Sequence, residues 1–218
     1  MATKNYDKEW EEYFIPGTDV LINNLNIINY DELEEAEKKI VKEKLVYLYL
    51  KPLKGKFDTQ HLLNIHKFIF EDIYPFAGKI RKCSLQKDFH IFCYPEDIET
   101  QLKNILEEMN NYFDNNDIYS IDIFAYKLAE FYYELQYIHP FREGNGRSIR
   151  VFIRDFIVEK SKNKSCGSLD IDYTKINKER LVLGTSNKYL YPNYITLEFM
   201  KALVPNQNKN TQSIKSST

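Results

Sequence analysis

The chain has 218 residues, 43% hydrophobic and 15% aromatic, with 17 Tyr and 14 Phe; it can bury a sizeable core, which excludes wholesale disorder. Thirty Lys and Arg against 32 Asp and Glu leave a formal charge of −2, so no general electrostatic drive pulls it onto nucleic acid or anionic lipid. Cys83, Cys93 and Cys166 are an odd number at unrelated spacings, neither a disulfide framework nor a zinc knuckle. They read as free thiols, although Cys83 and Cys93 could face each other across a hairpin. The opening MATKNYDKEWEEYF has no apolar signal region, and no run approaches the ~18 apolar residues that span a bilayer. A cytoplasmic protein without membrane or nucleic-acid partners is expected.

After a turn at Pro16-Gly17, Asp31 to Leu50 reads as a helix with i,i+4 pairs Glu34→Lys38 and Glu35→Lys39. Leu33, Ala36, Ile40 and Tyr47 are its expected buried side. Asp58 caps the next helix, which is expected to stop at Tyr74-Pro75. KIRKCSL and FHIFCY predict one hairpin over Lys79 to Tyr94. Pro95 opens a helix to Phe113, and Asp114 to Asp117 break the chain. Phe124, Leu128, Phe131, Leu135 and Ile138 then repeat at spacings of 4, 3, 4 and 3, a buried helical stripe. From Asn145 a helix carries Ile149, Phe152, Ile153, Phe156 and Ile157 on one face. Two more are expected near Thr174 to Leu183 and Asn193 to Val204, followed by a polar tail. The sum is an all-α, mostly helical bundle with one small β-hairpin: a single domain over 1–204, then a disordered tail over 205–218.

The segment HPFREGNGRSIR, His139 to Arg150, is the one that ordinary helical packing does not explain. Gly144 and Gly146 open backbone N–H groups to a ligand at a helix N-terminus, a ready anion site. Arg147 and Arg150 stand in the first turns, where the helix dipole disfavours cations by ~0.3–1 kcal/mol each. With Arg154 they share a face opposite Ile149, Phe152 and Phe156. Three arginines there make sense if several phosphates sit among them. Glu143 is a hard oxygen ligand suited to Mg²⁺ rather than zinc. His139, although a histidine before proline is commonly just a cap, is placed to take a proton from a hydroxyl attacking phosphate. The GxG is no dinucleotide fingerprint, and no GxxxxGK[ST] occurs. His61 and His66, five apart on a helix, cannot share a metal and belong to core or surface.

The segment resembles the Fic/Doc signature HxFx[D/E]GNGRxxR, matched at every position by His139, Phe141, Glu143, Gly144, Asn145, Gly146, Arg147 and Arg150. PGTDVL at 16–21, EDIYPFAGKIR at 71–81 and the hairpin before YPEDI extend the resemblance over nearly the whole chain. The resemblance implies a Fic-type bundle that transfers AMP from ATP onto a Ser, Thr or Tyr hydroxyl of a target protein. It implies that His139 is the base, that Glu143 holds Mg²⁺, and that the amides around Gly144, Asn145 and Gly146 form an anion hole. Asn145 would also contact phosphate, Arg147 grip the β-phosphate, Arg150 orient the γ-phosphate, and Phe141 anchor the loop.

Gly146, where the family's kinase branch has Lys, favours AMP transfer. The hairpin from Lys79 to Tyr94 resembles a target-docking flap, with His90 near its end. The family's inhibitory pattern [S/T]xxxE[G/N] does not occur in the sequence; Asp31…Glu35 comes nearest and reads as an ordinary acidic helix start. A toxin-type enzyme restrained by a separate small antitoxin that supplies the inhibitory Glu is the expectation. The resemblance points to type II topoisomerase subunits as targets if the enzyme acts at home, and to a small GTPase if it is translocated into a host cell. The alternatives are the same fold with a UMP or phosphocholine donor, or a non-catalytic arginine-rich binding module.

Overall fold

The computed structural model describes residues 6–87 and 90–207. Helix boundaries follow the capping residues. After α1 (Tyr6–Glu11), α2 (Tyr30–Leu50) begins where the Asn29 side chain accepts the Glu32 N–H, and Asp58 does the same for His61 at the start of α3 (Thr59–Phe70). That helix ends a turn earlier than its sequence pattern predicts, because Ile73 N–H turns back to the Phe70 carbonyl. The hairpin is also shorter than expected: β1 (Gln86–Lys87) pairs antiparallel with β2 (His90–Ile91). Residues 79–85 are irregular, since buried Arg81 spends its donors there on backbone carbonyls. Pro95 opens α4 (Pro95–Asn115), followed by α5 (Ile121–Ile138) and α6 (Asn145–Lys160).

Later come β3 (Leu169–Ile171), a 3₁₀ turn at Tyr173–Lys175, α7 (Lys178–Ser186), α8 (Tyr194–Ala202) and β4 (Leu203–Pro205). Strands β3 and β4 form a second antiparallel pair, which corrects the reading of 203–204 as helix and of Pro205 as tail. Residues 208–218 of the expected tail lie outside the described residues. Among the described residues no helix is long and apolar enough to cross a membrane.

The chain divides into two compact units. One runs up to Glu108 and takes in Glu134–Phe152; the other comprises Met109–Tyr133 and the residues from Ile153 onward. In the first, Leu62, Ile65, Ile69 and Phe70 of α3 are fully buried. On α2 the buried residues are Leu33, Val41 and Leu48, while Tyr47 is 47% exposed. The hidden face is thus rotated by roughly a fifth of a turn from the predicted one. It includes Glu37, whose charge breaks the apolar pattern.

In the second unit Phe113 contacts the rings of Phe124 at 4.9 Å and Phe156 at 5.1 Å. Arg154 does not join a phosphate-binding face. It is 9% exposed, with Nε and Nη2 donating to Asp170 at 3.0 and 2.9 Å. The sequence placed it by angle alone and could not show that partner.

Asp155 is 7% exposed, its Oδ2 has no hydrogen-bond partner, and Arg154 approaches Oδ1 no closer than 3.6 Å. Burial pushes its carboxyl up to about 7, with Arg154 opposing and Asp170 reinforcing. Because the folded value lies above the unfolded one, the group holds a proton in the fold that the unfolded chain has lost. Its favourable contribution is complete below pH ~4 and vanishes as pH rises through about 7. Asp155→Asn should therefore raise stability at pH 8 by about 2 kcal/mol, or ~4–8 °C in Tm, with the gain gone near pH 4. Thermal unfolding followed by circular dichroism across pH measures this.

Candidate active site

The site is built where α5 ends. His139 follows the last helical residue with φ +47°, left-handed backbone that a side chain rarely adopts and that costs of order 1–3 kcal/mol. The guanidinium of Arg81, 1% exposed, holds it there. Nε donates to the His139 carbonyl at 2.7 Å, Nη1 to Cys83 at 2.6 Å, and Nη2 to Cys93 at 2.6 Å and Ile138 at 3.3 Å. Arg81 N–H also donates to the Pro140 carbonyl at 2.9 Å. One cation thus satisfies orphan carbonyls at a helix C-terminus and ties them to both sides of the hairpin. Cys83 and Cys93 are buried free thiols, joined through Arg81 rather than through sulfur.

The His139 ring stacks on Phe92 with centroids 4.0 Å apart. Its Nδ1 lies 3.1 Å from the Gln136 carbonyl. A carbonyl only accepts, so Nδ1 carries the proton and the lone pair sits on Nε2.

Below the loop, Phe141 is fully buried and stacks on His66 at 3.7 Å. His66 accepts Gly78 N–H at Nδ1 (2.8 Å), and its Nε2–H donates to the Glu143 carbonyl (2.9 Å). Burial holds its pKa down to about 4, with the Glu143 carbonyl opposing and Arg147 reinforcing. His61 is likewise a core histidine, 2% exposed. Asn145 clips the loop to itself: Oδ1 accepts Phe141 N–H at 2.8 Å and Nδ2 donates to the Phe141 carbonyl at 2.7 Å. Its side chain is therefore committed to the loop's own backbone. Gly144 has φ +79°, and a Cβ there would meet the Phe70 ring at 2.3 Å.

Above this base a cavity of about 300 Å³ is lined by His139, Arg142, Glu143, Gly144, Asn145, Gly146, Arg147 and Arg150. Seven of the sequence-predicted site residues are thereby brought together, with Phe141 beneath them. Glu143 Oε1 accepts Gly144 N–H at 2.8 Å and Arg147 Nη2 at 3.0 Å, so that amide is engaged by the protein itself. Arg147 lies over Phe70 at 4.8 Å and gives Nη1 to Glu37. Arg142 is an unforeseen lining residue, stacked 4.0 Å over Trp10. Glu37 and Arg81 were missed as well. The one signal for Glu37 was an acid four residues from both Leu33 and Val41; for Arg81, flanked by Lys79 and Lys82 in KIRKCSL, there was none.

Residues 56–157 match the Fic/DOC family. The protein adenylyltransferase VbhT of Bartonella schoenbuchensis is 29% identical over 203 residues, 92% of this chain and 40% of VbhT. The probable protein adenylyltransferase y4lH of Sinorhizobium fredii is 35% identical over 138 residues, 63% of this chain and 70% of y4lH. The chain belongs to the Fic/DOC family. Its fold is similar to the N-terminal Fic domain of a VirB-translocated Bep effector protein from Bartonella quintana with bound ADP. The TM-score is 0.80 at 25% identity, over 91% of this chain and 97% of that one. The chain thus spans well under half of VbhT but nearly all of that solved domain.

Arg81→Lys tests the clamp on His139. An ammonium donates from one point and cannot reach the carbonyls of Cys83, Cys93, Ile138 and His139 together. A loss of about 2–4 kcal/mol in chemical unfolding is expected from the carbonyls left unpaired.

Proposed function

We propose that this chain is a protein adenylyltransferase that moves AMP from ATP to a hydroxyl of a target protein. The observation that carries this reading is the single cavity that gathers His139, Glu143, two glycines and Arg147 with Arg150. The Nδ1–H tautomer of His139 presents Nε2 as the base. It takes the hydroxyl proton while the oxygen attacks the α-phosphorus. The bond from that phosphorus to the β-phosphate bridging oxygen breaks, giving the AMP ester and pyrophosphate. Arg147, Arg150 and the loop amides orient the triphosphate and stabilise charge, so catalysis rests on positioning.

Magnesium fits the donor set. Among the described residues no three His, Cys, Asp or Glu are grouped to hold a metal, and Glu143 is the acid lining the cavity. Mg²⁺ takes one or two carboxylates and relies on phosphate and water for the rest. Glu143 Oε2, the oxygen outside its contacts to Gly144 and Arg147, would hold it. The ion would supply charge neutralisation at the phosphates.

The target segment would add as a strand beside the hairpin, and the enzyme would act in the cytoplasm or in a host cell. Restraint by a separate small protein, whose glutamate pairs with Arg150, belongs to the same proposal. The sequence lacks the [S/T]xxxE[G/N] pattern, and α2 directs Glu37 to Arg147 instead.

Mass spectrometry of a lysate incubated with the chain and ATP is expected to show an AMP adduct that disappears with His139→Ala. Nucleotide affinity in that variant should change less than about twofold, because the imidazole acts on the hydroxyl. Arg147→Ala should instead weaken ATP binding by about tenfold. No adduct from ATP, with labelling from UTP or a phosphocholine nucleotide, would reassign the donor.

A further inference from the structure

Glu37 lies outside the 56–157 family match and outside the signature, on the buried face of α2. Its side chain is 12% exposed, and both oxygens are engaged: Oε1 accepts from Arg147 Nη1 and Oε2 from the Tyr74 hydroxyl. Burial and the neighbouring Glu37 keep that phenol protonated, its pKa raised, so the hydroxyl stays a donor. Arg147 therefore bridges two unequal carboxylates. Toward Glu37 the ion pair is shielded from water and fixed by a third group. Toward Glu143, 41% exposed at the phosphate cavity, it is 3.0 Å long and open to solvent. Exposed pairs are screened and contribute little, whereas shielded ones resist separation. When an anion enters, the bond that yields is the one to Glu143.

Without Glu37 the two motif residues would neutralise each other. Glu143, in the loop, and Arg147, in the first turn of α6, are four residues apart, and a guanidinium facing one carboxylate tends to bind it through both amino groups. The hard oxygen ligand of the cavity would then be masked by its own neighbour. Resting on the adenylyltransferase reading, we infer that Glu37 is a positioning residue. It fixes Arg147 at the cavity wall through Nη1, so that Nη2 touches only Oε1 of Glu143 and can exchange it for phosphate, while Oε2 stays open to a divalent cation.

Calorimetric titration of the full chain with AMPPNP over a series of Mg²⁺ concentrations, and in EDTA, separates this from a purely structural role. Glu37→Gln keeps the shape and the bond from Tyr74 but removes the charge. It should raise the Mg²⁺ concentration for half-maximal tightening by about 5- to 10-fold, a normal size for coupled groups in contact, and change affinity in EDTA less than about twofold. Tyr74→Phe, which loosens Glu37 without removing it, should shift the same midpoint by about 2- to 3-fold.

An unmoved Mg²⁺ midpoint in Glu37→Gln, beside normal Mg²⁺-dependent binding by the unaltered chain, would overturn this inference alone. So would an equal loss of affinity with and without Mg²⁺, which marks a merely structural acid. Tighter binding with faster transfer would overturn it in favour of a blocking carboxylate. An unaltered chain that binds no AMPPNP at all would overturn the transferase reading and this inference with it.

Discussion

A guanidinium buried among carbonyls organises the first unit. Arg81 sits where the polypeptide leaves a helix, reverses and must present an imidazole, and it meets the negative end of α5 with a full positive charge. Removing an arginine from water without a carboxylate beside it is expensive. Here carbonyl oxygens from both sides of the hairpin, the helix end and the loop substitute for solvent. Because those oxygens come from separate stretches of chain, the interaction forms only when all of them are in place. The left-handed turn at His139 is the strained link that this arrangement sustains.

The loop above is held for a different reason: its side chains are spent on one another's backbone. Asn145 binds Phe141 at both of its amide ends, His66 bridges Gly78 and Glu143, and Phe70 lies against Gly144 where any larger residue would need space. Donors fixed in advance in this way need little rearrangement to receive an anion. One arginine has two acidic partners, and the weaker partner is also the cavity's carboxylate.

The candidate site was legible in the sequence because it is local. Eight of the twelve consecutive residues from His139 to Arg150 line one cavity. The stripes of α5 and α6 were legible for the same reason: Phe124, Leu128, Leu135, Ile149 and Phe152 are all buried as their spacing implied. Interactions between distant segments were hidden. Arg154 was grouped with the motif arginines by angle, yet Asp170 sixteen residues away claims it. The face of α2 was misjudged because a carboxylate occupies a core position, and its partners, Tyr74 and Arg147, lie 37 and 110 residues on. Strands β3 and β4 are three residues each and lie over thirty residues apart, too short for alternation to register. Asn145 has a phosphate-binding residue's position but a loop clip's side-chain contacts, a distinction that a motif cannot express.

The stack of Arg142 on Trp10 makes the protein its own optical reporter. Trp10 is the chain's single tryptophan, and the cation covering its face belongs to a residue that also lines the anion cavity. Indole emission responds to a charge at that range, so any shift of Arg142 on filling of the cavity would be reported by a native fluorophore. Titration of unlabelled material with nucleotide, read by tryptophan emission, follows from that placement.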